Sequence, residues 1–557
     1  MRQWTLDNPV VTKEFRSRMR GSRAYWLLFS YLLLLSLTLF FAYLAWWNSH
    51  QNGMDYGGGG QAGFTVGRTF FLTLFYAQAI LVTLITPALT AGAISIEREQ
   101  RTFEMLRSTT LPPRAIALGK LASSVSFIVL LLTSSLPLVS LCFLLGGVSP
   151  GEVFFGYLLL VCDAFVLGAI GLAWSAYAAN TATATALSYG SIFLWFALTF
   201  PFAVPGINNY PGIGLAALNP IGAVTGAVTQ EHYYGWTLAA WIPALLVNGA
   251  LGTLLVLACI NRLEDYPARR AWGMRLAALA FCGLLLLFGN GIIFSPMAGG
   301  MPDAIQIGFL TTAALAAVIL FVPVFVTGDL TEWPPRRHTL AAFFSGWTPR
   351  RAFGDAALPS ALPFALLLTA LIAGLMFAAL HLSVGQRVVM PFGIGMRGAM
   401  PLWARGLGTV TPLIWQAAGL LASVVVGLAG AGFLLSVLLG NRWAALTLLY
   451  LLMVLGMALP FFSYGTLSVH DAALAARSPA INTLYLCPWL GLWQSAYSLA
   501  LQRPHSVYET FEGNFPVVQR LAGYGDNTVW VTSALLYLLL GVVCYAIGLA
   551  VVGWKRT

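Results

Sequence analysis

The stretch YWLLFSYLLLLSLTLFFAYLAWW, from Tyr25 to Trp47, decides the fold. It carries no charge, and as a helix rising about 1.5 Å per residue it is long enough to cross the roughly 30 Å hydrocarbon core of a bilayer. A basic segment of 24 residues precedes it, and it ends in Trp46-Trp47 rather than in small residues, so it reads as a span that stays in place and not as a cleaved signal peptide.

Outward from this segment, apolar runs of similar length recur almost to the C-terminus. They predict an all-α, polytopic bundle of about 12 spans near 25–47, 69–96, 119–145, 153–178, 185–204, 236–260, 276–294, 305–326, 358–382, 410–438, 444–465 and 529–553. The composition agrees: of 557 residues 59% are hydrophobic and 9% charged, with a mean hydropathy of +0.80, which excludes an ordinary soluble protein.

An even number of spans puts both termini on one side, and the Lys/Arg distribution says which. With N- and C-termini cytoplasmic, 22 of the 29 Lys and Arg fall in inner segments. The exceptions are Arg68, Arg387, Arg397, Arg405, Arg477, Arg503 and Arg520. The net charge of +10 therefore sits where lipid head groups are, and no nucleic-acid partner is expected. In the segment 466–528, Tyr485, Trp489, Trp493 and Tyr497 recur every four residues, which predicts a helix lying at the outer head-group level; an aromatic stripe packed on neighbouring spans is the bland alternative.

The segment 1–24 predicts a cytoplasmic interfacial helix. Asn8 can cap it and Pro9 suits its first position; Val11, Phe15 and Met19 share a face, while Lys13, Arg16, Arg20 and Arg23 spread over the others. After the second span comes EREQRTFEMLRSTTLPPRAIALGK, Glu97 to Lys120. Its charges predict that the helix continues out of the membrane, with Glu97 and Arg101 at attractive i, i+4 spacing. Thr102, Phe103, Met105 and Leu106 then offer apolar surface, and Ser108 to Thr110 with Pro112-Pro113 break the helix and start another. A helix-turn-helix with exposed Phe and Met among charges suits a groove on a partner protein; a solvated loop is the bland alternative.

At this point NPVVTKEFRSRMR (8–20) and ISIEREQRTFEMLRSTTLPPRAIALGK (94–120) resemble the permease subunits of type-two ABC exporters. The resemblance covers roughly the first 260 residues. It implies a six-span permease domain over 25–262 whose cytoplasmic loop 97–118 couples to a separate ABC-type ATPase subunit. The residues carried over to that coupling surface are Glu97, Glu99, Arg101, Thr102, Glu104, Arg107, Pro112, Arg114, Gly119 and Lys120. Two departures stand out: Arg101 occupies a position where many relatives have Gly, and Thr109-Thr110-Leu111-Pro112 replaces the commoner Thr-Pro pair. The resemblance also implies a bacterial inner membrane.

Residues 263–557 form a second six-span membrane domain. The motif from Thr348 to Gly354 faintly echoes Leu111 to Gly119, as a diverged repeat would. If it is one, a single chain supplies the pathway; if not, the chain pairs with a second copy or a second permease chain.

No catalytic residues are expected. A P-loop needs Gly-Lys before Ser or Thr, but Lys13, Lys120 and Lys555 precede Glu, Leu and Arg. No cofactor is therefore expected on this chain; ATP and Mg belong to the partner ATPase. The six His and six Cys show no metal-ligand spacing. Asp163 is the carboxylate near the middle of a predicted span, where its charge costs about 2.5–3.5 kcal/mol on insertion scales. It reads as a structural hydrogen-bonding residue or as an intramembrane polar site. With Asp163 as an ion site, the alternative function is an ion-coupled secondary transporter; a membrane-embedded enzyme and a scaffold are the others.

Overall fold

The computed structural model describes residues 9–20, 22–51, 62–108, 111–203, 219–220, 222, 230–233, 236–263, 271–291, 315, 318, 322–324, 358–385, 407–440, 444–453, 455, 488 and 528–555. Asn8, the segments 328–355 and 383–408 apart from the helix ends within them, and the aromatic series from Tyr485 to Tyr497 lie outside the described residues, as does most of 305–326 and 466–528. The chain divides into two compact units, Met1–His232 with Trp236–Pro267, and Tyr233–Gly235 with Ala268–Thr557.

The protein is a helical membrane protein. Among the described residues, seven helical stretches are long and apolar enough to cross a bilayer: Ala24–Asn48, Gly67–Glu99, Pro113–Ser134, Pro150–Tyr177, Trp241–Leu263, Trp415–Leu439 and Trp530–Val552.

The first unit contains α1 (Pro9–Met19), α2 (Ser22–Gln51), α3 (Ala62–Thr90), α4 (Ser95–Glu99), α5 (Phe103–Arg107), α6 (Pro113–Ser134), α7 (Leu136–Leu145), α8 (Pro150–Tyr177), α9 (Thr181–Ala203), the paired strands β1 (Gln230–Tyr233) and β2 (Trp236–Ala239), and α10 (Trp241–Leu263). The local sequence sets several of these limits. Ser149 begins α8 with a capping box: the Glu152 N–H donates to Ser149 Oγ at 3.2 Å and the Ser149 N–H donates to Glu152 Oε2 at 2.7 Å, with Pro150 in the first turn. Pro112, in extended backbone, leads into Pro113 at the start of α6.

The expected span 119–145 is interrupted at Ser135, two residues before Pro137, which has no N–H to continue the helical ladder. The strands were not foreseen. They come from a short run of Tyr, Trp and Thr around Gly235, too brief to show a period of two.

α8 is the hub. It packs against α10, α3, α6 and α9, and its buried side chains include Leu160, Ala164, Ala169 and Leu172. Phe71, Leu74 and Phe75 of α3 meet Ile128, Leu131 and Leu132 of α6 in the same core. Between lipid-facing helices apolar burial supplies little drive, so close fit matters more. At Gly171 of α8 an added Cβ would collide with the hydroxyl of Thr90, where α8 crosses the end of α3.

The second unit contains α11 (Ala271–Gly291), α12 (Leu358–Gly385), α13 (Leu407–Leu439), the short helix Ala444–Met453 and α14 (Thr528–Lys555). α13 and α14 cross closely through glycines, Gly430 facing the backbone of Gly541, and Phe433 stacks on Tyr545 at 5.3 Å between ring centroids. Arg275, expected in a loop before the seventh span, lies inside α11, buried, with its guanidinium 5.0 Å from the ring centre of Phe364.

Candidate functional site

Glu97, Arg98 and Glu99, consecutive at the end of α4, each bond to a different part of the bundle. Glu97 Oε1 accepts from Lys120 Nζ at 2.7 Å. The same ammonium group donates to Glu14 Oε1 at 3.1 Å, so α4, α6 and α1 meet at one cation whose side chain is only 3% exposed. Arg98 forks onto the carbonyls of Ala176 and Ala178, at 3.1 and 2.9 Å, and so neutralises the C-terminal end of α8. Glu99 accepts from the Thr181 N–H at 2.7 Å and from the Thr181 hydroxyl at 2.9 Å, placing negative charge at the start of α9.

The backbone of α4 is held as well. Ser175 Oγ accepts from the N–H groups of Ile94 and Ser95 at 2.8 and 3.0 Å, satisfying donors that a helix start leaves free. α1 is tied down at its other end, where Arg18 Nη2 donates to the Leu89 carbonyl in the last turn of α3 at 3.0 Å. Burial lowers the pKa of the Arg18 guanidinium from its ordinary value, and Glu14 one turn away raises it in part.

The helix expected to run unbroken through Arg107 is interrupted. α4 ends in a Schellman motif: the Thr102 N–H donates to the Glu97 carbonyl at 2.9 Å and the Arg101 N–H to the Arg98 carbonyl at 3.1 Å. This geometry requires a left-handed residue, and Arg101 adopts φ 57°. That is the position at which the resemblance leads one to expect Gly, and its left-handed backbone turns the chain into α5. The turn leaves Arg101 exposed while the Glu97 carboxylate bonds to Lys120, in place of the expected Glu97–Arg101 pairing.

The candidate coupling residues consequently separate into two groups. Glu97, Gly119 and Lys120 lie within the packed end of the bundle, and Glu99, though exposed, is engaged with Thr181. Arg101, Thr102, Glu104 and Arg114 are exposed, Pro112 is half-buried, and the Arg107 side chain lies outside the described residues. Met105 is 71% exposed, as its place among charges suggested. Phe103 is not an exposed anchor: it packs against the cluster of Ile94, Ala117 and Leu172 and lies 5.7 Å beneath the Arg98 guanidinium.

In α1, Phe15 is half-buried and Arg16 and Arg20 lie exposed at or just past its end, while Val10, one turn before Glu14, is buried. Sequence reasoning passed over Glu14, Arg18, Ser175 and Thr181. Glu14 carried one signal, as a lone carboxylate among the basic residues 13–20.

Asp163 sits in α8, 4% exposed, and its Oδ2 has no hydrogen-bond partner. Among the described residues no group of His, Cys, Asp and Glu is arranged to hold a metal ion. No protein-family model, curated protein or solved structure matches the chain.

Proposed function

We propose that the chain is the membrane-spanning permease subunit of an ATP-driven ABC exporter, coupled through α5 to a separate ATPase that binds ATP and Mg. One observation carries the reading: α5 presents Glu104 and Met105 to solvent from a clasp, Glu97, Arg98 and Glu99, whose charges bond to α6, the end of α8 and α9, with α1 joined through the Lys120 ammonium. A displacement of α5 by a partner is therefore felt by four helices at once. The resemblance of residues 8–20 and 94–120 to exporter permeases supports the same reading.

In this reading the chain has about twelve spans with both termini cytoplasmic, in a bacterial inner membrane. α1 lies among the head groups with Arg16 and Arg20 toward lipid phosphates. Closure of the ATPase moves the clasp end and shifts the spans between inward- and outward-facing states. Taking that equilibrium from 1:99 to 99:1 requires about 5.5 kcal/mol of differential binding.

The test is purification of the tagged chain from its native membrane in several mild detergents, with mass spectrometry of what accompanies it. A soluble Walker-motif ATPase should co-purify, and a chain carrying Glu104→Lys and Met105→Glu should recover at least tenfold less of it at an unchanged melting temperature. Recovery of the chain alone in every detergent refutes the proposal. The unpartnered Asp163 favours a second reading, an ion-coupled carrier, which transport that follows an ion gradient and survives ATP depletion would establish.

A further inference from the structure

Helices α3, α8, α9 and α10 of the first unit enclose a partly open cavity with an internal volume of about 20 Å³, room for one water-sized group. Asp163, Thr83 and Trp195 bring polar groups to it, and Val166, Leu167 and Ile192 form part of an apolar wall.

These polar groups are of both kinds. Asp163 is 4% exposed, its Oδ2 makes no hydrogen bond, and among the described residues no cation pairs with it. A carboxyl so placed is held as the neutral acid, with one O–H to donate. Trp195 brings a buried indole N–H, a donor that cannot accept. The Thr83 hydroxyl already donates to the Ala79 carbonyl at 2.7 Å, so it offers lone pairs. One turn on, Pro87 has no N–H to give the Thr83 carbonyl, which makes α3 rich in acceptors at this level. Asn248 also lines the cavity but is already engaged, and the match below does not use it.

We propose that this cavity binds an uncharged hydroxyl group carried on an apolar chain. An alcohol oxygen has two lone pairs and one hydrogen, which match two donors, the Asp163 acid and the Trp195 indole, and one acceptor, Thr83 Oγ1. The chain leaves past Val166, Leu167 and Ile192 through the open side. An ammonium group has no lone pair for the acid and the indole. A carboxylate has no hydrogen for Thr83 and would be buried without a cation. Water satisfies the polar groups as well, but it finds no partner along the apolar exit, which a chain fills. The site stands on the geometry of the first unit and does not depend on an ATPase.

Photolabelling of the purified full chain in nanodiscs tests this, with octanol bearing a diazirine near the end of its chain as the probe and peptide mass spectrometry as the readout. Labelling is read on α9, so that loss of the Asp163 carboxyl as a reacting group does not enter. Wild type should take up the label saturably beside the cavity, with unlabelled octanol suppressing it at least tenfold more effectively than octane or octylammonium. Asp163→Asn, whose amide is an uncharged donor of the same shape, should label within about threefold of wild type. Asp163→Leu, which fills the space without a hydrogen bond, should label at least tenfold less, and Thr83→Val several-fold less, each at a melting temperature close to that of wild type. Absence of saturable labelling of wild type, suppression by octylammonium as strong as by octanol, a loss in Asp163→Asn equal to that in Asp163→Leu, or unchanged labelling of Asp163→Leu and Thr83→Val would each overturn the proposal. None of these results bears on recovery of the ATPase.

Discussion

Lys120→Met keeps an apolar stem of similar length at the foot of α6 but leaves the carboxylates of Glu14 and Glu97 facing one another without their shared cation. Removing one member of a fully buried pair costs about 3–5 kcal/mol. Here the cation is 3% exposed while the carboxylates are 27% and 21% exposed, so water reaches the acid side and reduces the penalty. The expected loss is about 2–3 kcal/mol. Neutralising the acids as well, with Glu14→Gln and Glu97→Gln in the Lys120→Met background, should restore most of that loss, because the cost lies in the uncompensated charges. Equilibrium unfolding of the purified chain by denaturing detergent, read by circular dichroism, measures both steps. A Lys120→Met chain within about 0.5 kcal/mol of wild type, or a triple variant no more stable than Lys120→Met, would refute the reasoning.

Two further substitutions test the geometry around the clasp. Arg101→Gly should stabilise the chain by about 0.5–1 kcal/mol in the same assay, since relieving a left-handed non-glycine residue gains about 1–2 kcal/mol and the freedom of Gly in the unfolded chain returns about 0.5–1. Gly171→Val should destabilise by about 2–3 kcal/mol, because its side chain must enter the space of Thr90; an unchanged melting curve would mean that α8 and α3 do not approach this closely.

Much of the helical architecture was legible because apolar length alone identifies a span. The ends of α8, α10, α12, α13 and α14 fall within a few residues of the apolar limits. The interruption at Ser135 was hidden inside a continuous apolar run, where hydropathy has no contrast to register. The clasp was half-legible. Its residues stood out as a dense run of charges in a chain only 9% charged, but the spacing of Glu97 and Arg101 invited a pairing within one helix. The actual partners, Lys120, Ala176, Ala178 and Thr181, are brought near only by the packing of α6, α8 and α9. Asp163 was legible by its place in a span, whereas Thr83 and Asn248, which line a small cavity with it, are polar residues of a common kind and carried no signal.

The contact between Lys120 and Glu14 also bears on how the protein is made. The two residues are 106 positions apart, and at about 5–20 residues per second the ribosome delivers the lysine about 5–20 s after the glutamate. During that interval α1, short and rich in cations, has neither α6 to pack on nor the Lys120 ammonium for its one carboxylate. With α1 at the membrane interface, as proposed above, anionic lipid is the surface available to it, and the composition of the membrane during synthesis then bears on where this helix waits before α6 arrives.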